Sequence, residues 1–508
     1  YAPLVARVVA RLDGMPLAIE LAAARVEALG MAGLADRIDN ALRLLEGRDS
    51  LTAARHRSLA AVADWSYQLL TDAEQRVFRR LAVLPGPFTL EAAEAVAGPG
   101  AGPVLLRLVD CSLVIPPRRG PDKRTRYALL QTLRAYGLGQ LRERGEEQQT
   151  AAALADFALS LGKEASSGLR TSDPDRELAA LRWLDAEDAV LGAALSWDLE
   201  HAPGPALCLG SALAPWLLQR GRMTEGYTQL AAAAGQATPA SRGWAMAQLW
   251  LGFLSSYSGA HADSLAHHTA AYQSAAADHL SLVAVHALVG RAIAQLNLGQ
   301  ATEATGDARQ ALALARQSEN PAGEVHALTT LGLIAYYAER DQEALTWVRQ
   351  AYESLSADVP GFIARLCSVL LAIVLADVGD YDSARQLCVA GLAAARAADD
   401  QSDLANLLMA GAHLEGLAGD AEAMRAYLHE ALEIAARTGD HVNLRDCLEE
   451  CGYLCVAGQR WAEAVTIWAA YAADVLRTGV PRNYSEEDSR RLQCMRRIEA
   501  ALGPARVR

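Results

Sequence analysis

The chain has 508 residues, 52% of them apolar, enough to bury the cores of three or more domains. Its formal net charge of −13 is unevenly placed: residues 1–150 hold 20 basic and 17 acidic side chains, the remainder 27 and 43. That acidic stretch argues against nonspecific nucleic-acid binding there. Eight cysteines without a paired framework spacing point to a reducing cytoplasm. The longest apolar runs, 206–218 and 366–376, fall short of the ~18 residues a membrane helix needs, and no secretory signal heads the chain. It opens in a helical pattern without an initiator Met, which reads as a piece of a longer protein.

In chain order, "LDGMPLAIELAAARVEALG" (12–30) reads as an alanine-rich helix that starts at Gly14-Met15-Pro16, where a proline lacks only an N–H that would have no partner. Residues 58–86 read as two helices, the second capped by Thr71 with Glu74 at its third position. "FTLEAAEAVAG" and "GPVLLRLVDCSLVI" predict a short helix, another helix and a strand at 112–115. "PPRRGPDKRTR" (116–126) reads as a hairpin tip; its Arg118, Arg119, Lys123, Arg124 and Arg126 form a concentrated basic patch expected to be solvated. A strand and a helix return at 127–145. Helices followed by a basic-tipped hairpin predict a winged helix at 51–147, after a helical lid at 1–50 and before a helical linker at 148–205.

From there a period near forty dominates. Gly221, Gly259, Gly299, Gly379, Gly419 and Gly458 recur before short loops, with Glu339 in the vacant slot. Small residues sit five after (Ser264, Ala304, Ala344, Ala384), twelve after (Ala271, Ala311, Ala351, Gly391, Ala431) and seven before (Gly252, Ala292, Gly332, Ala372, Ala412). The last two repeats slip: Met424 and Glu463 stand where alanine is expected. Small residues at fixed depth let paired antiparallel helices approach, and each pair buries its face only by stacking on the next. The grid resembles tetratricopeptide repeats lengthened beyond the usual 34 residues. The predicted fold is thus mostly α: lid, winged helix, an α-solenoid with an open inner wall at 206–480, and a C-terminal helix at 481–508.

"LDGMPLAIELAAAR", "HRSLAAVADWSYQLLTDAEQRVFRRLAVLPGPFTLEAAEAV", "LVDCSLV" and "YALLQTLRAYGLGQL", in this order and ahead of such repeats, resemble one bacterial family. It is the STAND class of signal-transduction ATPases, in the NB-ARC-like branch found in LuxR- and SARP-type transcription activators. The segment at 468–503 resembles the stretch that precedes a C-terminal DNA-reading domain in LuxR-type members. The resemblance implies that Gly14 and Pro16 match a Gly-x-Pro motif whose proline lies against the adenine of ADP or ATP in the whole protein. It also implies that the front domain packs on its own ATPase module and that DNA is contacted through a domain outside this chain. Self-association on activation is a further implication. The chain holds no G-x-x-x-x-G-K-[ST], and Leu129-Leu130-Gln131 stands where the family carries a Met-His-Asp-like motif, so no cofactor and no ATP turnover are expected of this chain itself.

In tetratricopeptide arrays the first helix of each pair lines the concave side. Its outward positions here are Phe253, Tyr257, His286, Asn297, His326, Tyr337, Asp377, Asn406 and His413, with Tyr257, Asn297, Tyr337 and Asp377 spaced by forty in one column. Two readings stand: these residues grip a peptide, a partner protein or a small polar effector, or they bridge neighbouring repeats. Cys447, Cys451 and Cys455, at i, i+4 and i+8, read as buried thiols between helices rather than metal ligands. His261, Asp263, His267 and His268 read as a solvated helix face. The expected function is a sensor that biases a nucleotide switch, with a protein scaffold as the alternative. No Ser/His/Asp, paired-carboxylate or metal-ligand set stands at an enzyme's spacing.

Overall fold

The computed structural model describes residues 2–11, 19, 22–23, 26–43, 63–239, 243–478 and 489–503. Gly14 and Pro16 lie outside them, as do 12–18 and 44–50 of the expected lid. The chain divides into two compact units: residues up to Leu161 together with Arg182–His201, and Gly162–Leu181 together with Ala202–Arg508. The stretch expected as a linker is therefore shared between the units.

The first unit holds α1 (Ala2–Arg11), α2 (Val26–Arg43), a helical segment at 63–68, α3 (Asp72–Leu81), α4 (Leu90–Ala97), α5 (Ala101–Asp110), β1 (Ile115–Arg119), β2 (Thr125–Ala128) and α6 (Gln131–Glu143). The first part of α7 (Glu147–Gly168) and most of α8 (Pro174–His201) complete it. Thr71 and Glu74 form the reciprocal cap that their spacing predicts. Phe78, Leu81, Leu84, Phe88, Leu105 and Leu108 fill the core.

Of the strand expected at 112–115 only Ile115 is extended, and 112–114 form a turn. Ser112 is left-handed, Leu113 and Val114 are buried, and both their N–H groups donate to the carbonyl of Leu108. The apolar run signals burial, not extension. The strands run further into the basic stretch than predicted, pairing antiparallel with Arg118 opposite Arg126. A register break falls at Pro116-Pro117, where two missing N–H groups cannot join a ladder. Arg126 departs most from its expected solvation. Its Nη2 donates to Asp122 Oδ2 at 2.6 Å and to Glu187 Oε1 at 2.8 Å, and the residue is 6% exposed. Arg124 lies 3.7 Å from the ring centre of Trp183.

The second unit is a run of helix pairs: α9 (Pro203–Gln219) with α10 (Met223–Gly235), α11 (Trp244–Tyr257) with α12 (His261–Ala277), α13 (Ser281–Asn297) with α14 (Ala301–Gln317), and α15 (Pro321–Tyr337) with α16 (Asp341–Glu353). It continues with α17 (Gly361–Asp377) and α18 (Tyr381–Ala398), α19 (Gln401–Ala418) and α20 (Ala421–Thr438), α21 (His441–Ala457) and α22 (Trp461–Thr478), and ends with α23 (Ser489–Leu502). Helices of 17 residues, about 25 Å long, explain a repeat longer than 34.

The turn within each pair needs one left-handed residue, supplied by Gly221, Gly259, Gly299, Glu339, Gly379 and Gly419. In the last pair it is Gln459 and not Gly458, which has ordinary backbone angles (φ −82°). This shift of one removes the apparent slip: Ala464 takes the small slot five residues on and is fully buried, and Gly452 takes the slot seven before. Trp468 lies 2.0 Å from where a Gly452 Cβ would sit. Met424 stays in its slot, 1% exposed, with its sulfur in the space that Gly416 leaves. A second left-handed series joins successive pairs at His279, Glu319, Asp399 and Gly439. Asn320, Asp400 and Asp440 then cap the next helix, accepting N–H groups at 2.9, 3.0 and 3.0 Å.

First helices of successive pairs pack on one another, α11 on α13 and onward to α21, and form the inner wall. That wall is not open as the sequence suggests. Helix α9 also touches α19, and the Arg220 guanidinium donates to the carbonyls of Ala398 and Asp399 at 3.0 and 2.6 Å. Among the described residues no helix is long and apolar enough to cross a membrane.

Two substitutions test the corrected register. Gln459→Gly relieves a left-handed side chain and gains about 1 kcal/mol. Gly452→Ala drives a methyl into Trp468 and costs roughly 1–3 kcal/mol. Denaturant titration of each variant reads both, and a stabilised Gly452→Ala contradicts the register.

Candidate functional site

Among the described residues three polar clusters mark the inner wall, and each joins helices of more than one pair. The first is built around Arg365 of α17. Its Nη1 and Nη2 donate to the two carboxylate oxygens of Glu177, in the first turns of α8, both at 2.9 Å. Its Nε meets Asp403 Oδ2, and Nη2 reaches Asp400 Oδ2 at 3.2 Å. Gln219 donates to Glu177 Oε1 at 3.1 Å, and the Gly361 N–H donates to the Thr171 carbonyl at 2.8 Å. One guanidinium thus spans α8, α17 and α19. Burial and the neighbouring Asp403 push the Asp400 carboxyl well up.

The second cluster holds aromatic rings and imidazoles without a carboxylate. Phe253 of α11 meets His268 of α12 edge-on, with ring centres 4.8 Å apart, and stacks on His326 of α15 at 6.3 Å. The His286 and His326 Nδ1 atoms are 3.1 Å apart, so one neutral ring donates to the other. His268 fits because Gly252 and Gly290 lack side chains; a Cβ at either would lie within 2.6 Å of its ring. Burial pushes His268 and His326 down to about 3 and His286 to about 4.

The third cluster gives the same residue type the opposite setting. His413 of α19 sits between two carboxylates, Nε2 3.1 Å from Asp377 Oδ1 and Nδ1 2.9 Å from Glu450 Oε1. These partners outweigh burial and raise it to about 9, so both ring nitrogens donate at neutral pH. Arg490 of α23 closes the chain of alternating charges at 3.1 Å from Glu450. Tyr336 stands by, its hydroxyl pushed up by burial and by Asp377.

The structure therefore places the nine wall residues in three settings. Phe253 and His286 each meet His326; Asp377 and His413 form an ion pair; and Asn406 accepts from Asn443 at 2.9 Å. Tyr257 faces the start of α19, in a hydrogen bond with Ser402 and near Asp403 and Asp440. Asn297 turns back to its own helix, donating to the Ile293 carbonyl, and Tyr337 lies against Tyr336. Five of the nine pair through neighbouring first helices, Phe253 reaches His268 of α12 and His326 of α15 instead, and the column at 257, 297, 337 and 377 does not act as one surface. Sequence reasoning missed Arg365, Glu177, Glu450 and Arg490. His261 and His268, expected on a solvated face, are 2% and 0% exposed, since α12 packs against both α11 and α13. Cys447 and Cys455 are buried and Cys451 half-buried, all with thiols pushed up by burial. Among the described residues no group of His, Cys, Asp and Glu is placed to hold a metal.

No protein-family model matches the chain. Relatives in Mycobacterium bovis and Mycobacterium tuberculosis, both named "Putative HTH-type transcriptional regulator", are 31% identical over 473 residues, 92% of this chain. The chain spans less than half of their length, 43%. Among solved structures, a Rap protein complexed with Competence and Sporulation Factor matches over 64% of this chain and 99% of its own, at 13% identity and a TM-score of 0.47. A STAND protein with a tetratricopeptide repeat sensor from Pyrococcus horikoshii matches over 92% and 75%, at 12% identity and a TM-score of 0.44.

The contrast between the histidines fixes a pH profile. His268, His286 and His326 are neutral in the fold and protonate more readily once unfolded, so their contribution is whole above pH 6.5 and is lost as pH falls toward 4. The His413 contribution is whole below pH 6.5 and is lost as pH rises through about 9. His413→Gln leaves Asp377 and Glu450 facing each other and costs about 3 kcal/mol at pH 6.5. That deficit shrinks toward pH 9.5 in thermal unfolding; a deficit independent of pH contradicts the assignment.

Proposed function

We propose that this chain is the regulatory portion of a transcription regulator, whose helical array receives an effector or partner and biases a switch carried elsewhere in the protein. The observation that carries this reading is collinear similarity: one alignment to mycobacterial relatives named as HTH-type regulators runs through both the front unit and the array. The acidic array carries polar clusters on its inner wall, a surface suited to hydrogen-bonding and stacking with a peptide or small polar ligand. A ligand shifts such a switch only by its differential affinity for the two states.

The finer class we propose is the STAND ATPase. On this reading the front unit is a winged helix built from α3–α6 and the β1–β2 hairpin, packing on a nucleotide-binding module of the whole protein. Commitment of Arg126 to Asp122 and Glu187, and of Arg124 to Trp183, supports a wing that does not read DNA. DNA contact then belongs to a domain outside this chain, in keeping with the HTH-type relatives. Gly14 and Pro16 would meet the adenine of ATP or ADP in the whole protein, in the cytoplasm, with self-association following activation. The chain itself is not an enzyme and holds no cofactor.

The test is a reporter gene driven by the whole regulator. Tyr257→Ala with Tyr337→Ala reduces the effector response at least tenfold while circular dichroism of the chain is unchanged. An unaltered response contradicts the receiving role of the inner wall and favours a scaffold. The purified chain with magnesium and ATP gives background turnover; turnover above background refutes the non-enzymatic reading.

A further inference from the structure

Residues 151–508 carry a large excess of acidic side chains, yet α23 is basic, with Arg490, Arg491, Arg496 and Arg497 and a single carboxylate, Glu499. The helix docks on α21 and α22. Ile498 is its fully buried anchor, with Cys494, Met495 and Leu502 partly buried beside it.

What surrounds the first arginine pair is specific. The Arg490 guanidinium lies 3.9 Å from the ring centre of Tyr453 and 3.1 Å from Glu450. The next residue repeats the arrangement: Arg491 lies 4.8 Å from the Tyr471 ring centre and 2.9 Å from Glu449. Gly416 leaves the room; a Cβ there would come within 3.1 Å of the Arg490 Nη2. Two adjacent sockets therefore each offer an aromatic face and a carboxylate to a planar cation. This pairing suits guanidinium better than ammonium, because the delocalised plane stacks while its fork donates. Both arginine side chains keep some water contact, at 25% and 20% exposure, over carboxylates that are nearly buried. The acidic array around them attracts a cationic segment before it docks.

We propose that the face of α21 and α22 is an arginine-recognition surface that α23 occupies as an intramolecular ligand, and that an arginine-bearing helical segment of a partner protein takes its place. Charge complementarity commits the surface to this occupant. Glu450 also holds His413, and His413 holds Asp377, so exchange at the first socket reaches the inner wall. This consequence rests on the inner wall being the receiving face; the exchange does not.

A fluorescent peptide of residues 489–503, with Cys494→Ser, tests the exchange by anisotropy on the full chain. The chain with Arg490→Ala and Arg491→Ala binds the peptide at least tenfold tighter than the unaltered chain, and Glu449→Gln with Glu450→Gln added abolishes the gain. A peptide carrying alanine at 490 and 491 does not bind. Equal binding of both peptides, or none to the opened chain, overturns the proposal. Should the double alanine variant lose its fold, hydrogen exchange on the unaltered chain decides. Excess peptide speeds exchange in 489–502 at least fivefold and leaves 281–337 unchanged; no acceleration overturns the proposal. A concentration-dependent dimer that the arginine substitutions abolish assigns the occupant to a second copy and overturns the partner. These outcomes concern α23 alone, whereas the response of the Tyr257 and Tyr337 variant concerns the inner wall.

Discussion

A single guanidinium, that of Arg365, holds the array in its winding. Residues 177, 365, 400 and 403 come from three helices, and the only cation among these four side chains is the arginine. Buried carboxylates are tolerated only when paired and hydrogen-bonded, so the three acids dictate where α8, α17 and α19 lie relative to one another. Asp400 carries a second duty. It caps α19 through the Asp403 N–H, and this fixes its carboxylate at the helix start where Arg365 can reach it. Local turn chemistry and long-range closure therefore meet in one side chain.

With the winding set, the inner wall divides by charge. One stretch collects Phe253, His268, His286 and His326, rings that share no carboxylate and stay neutral. The other threads Asp377, His413, Glu450 and Arg490 into alternating signs. The same imidazole is acidified in one place and made basic in the other by its neighbours alone.

The forty-residue period was legible because it has a local cause: a left-handed residue and small slots at fixed offsets. It was misread only where that cause wears another side chain. Gln459, His279, Glu319 and Asp399 adopt left-handed angles without being glycine, so the second turn series showed a glycine only at Gly439 and the last register drifted by one. The cap at Thr71 was equally plain, since its partners are three residues apart. Contacts that depend on winding left no such signal. Arg365 and Glu177 are 188 residues apart, and nothing in either neighbourhood announces the other. Arg126 looked solvated because its partner Glu187 lies 61 residues on. The wall positions at 286, 326, 377 and 413 were correctly placed on first helices, but whether they bridge or bind is decided by packing between repeats.

Small-angle X-ray scattering of the unaltered chain and of Arg365→Gln tests the closure most directly. The account predicts that the variant keeps its helical circular dichroism while its radius of gyration rises and long distances appear in its pair distribution, as uncompensated Glu177 and Asp403 push the first turn of α8 away from α17 and α19. Superimposable scattering from the two chains would show that the winding does not depend on Arg365 and would contradict the account.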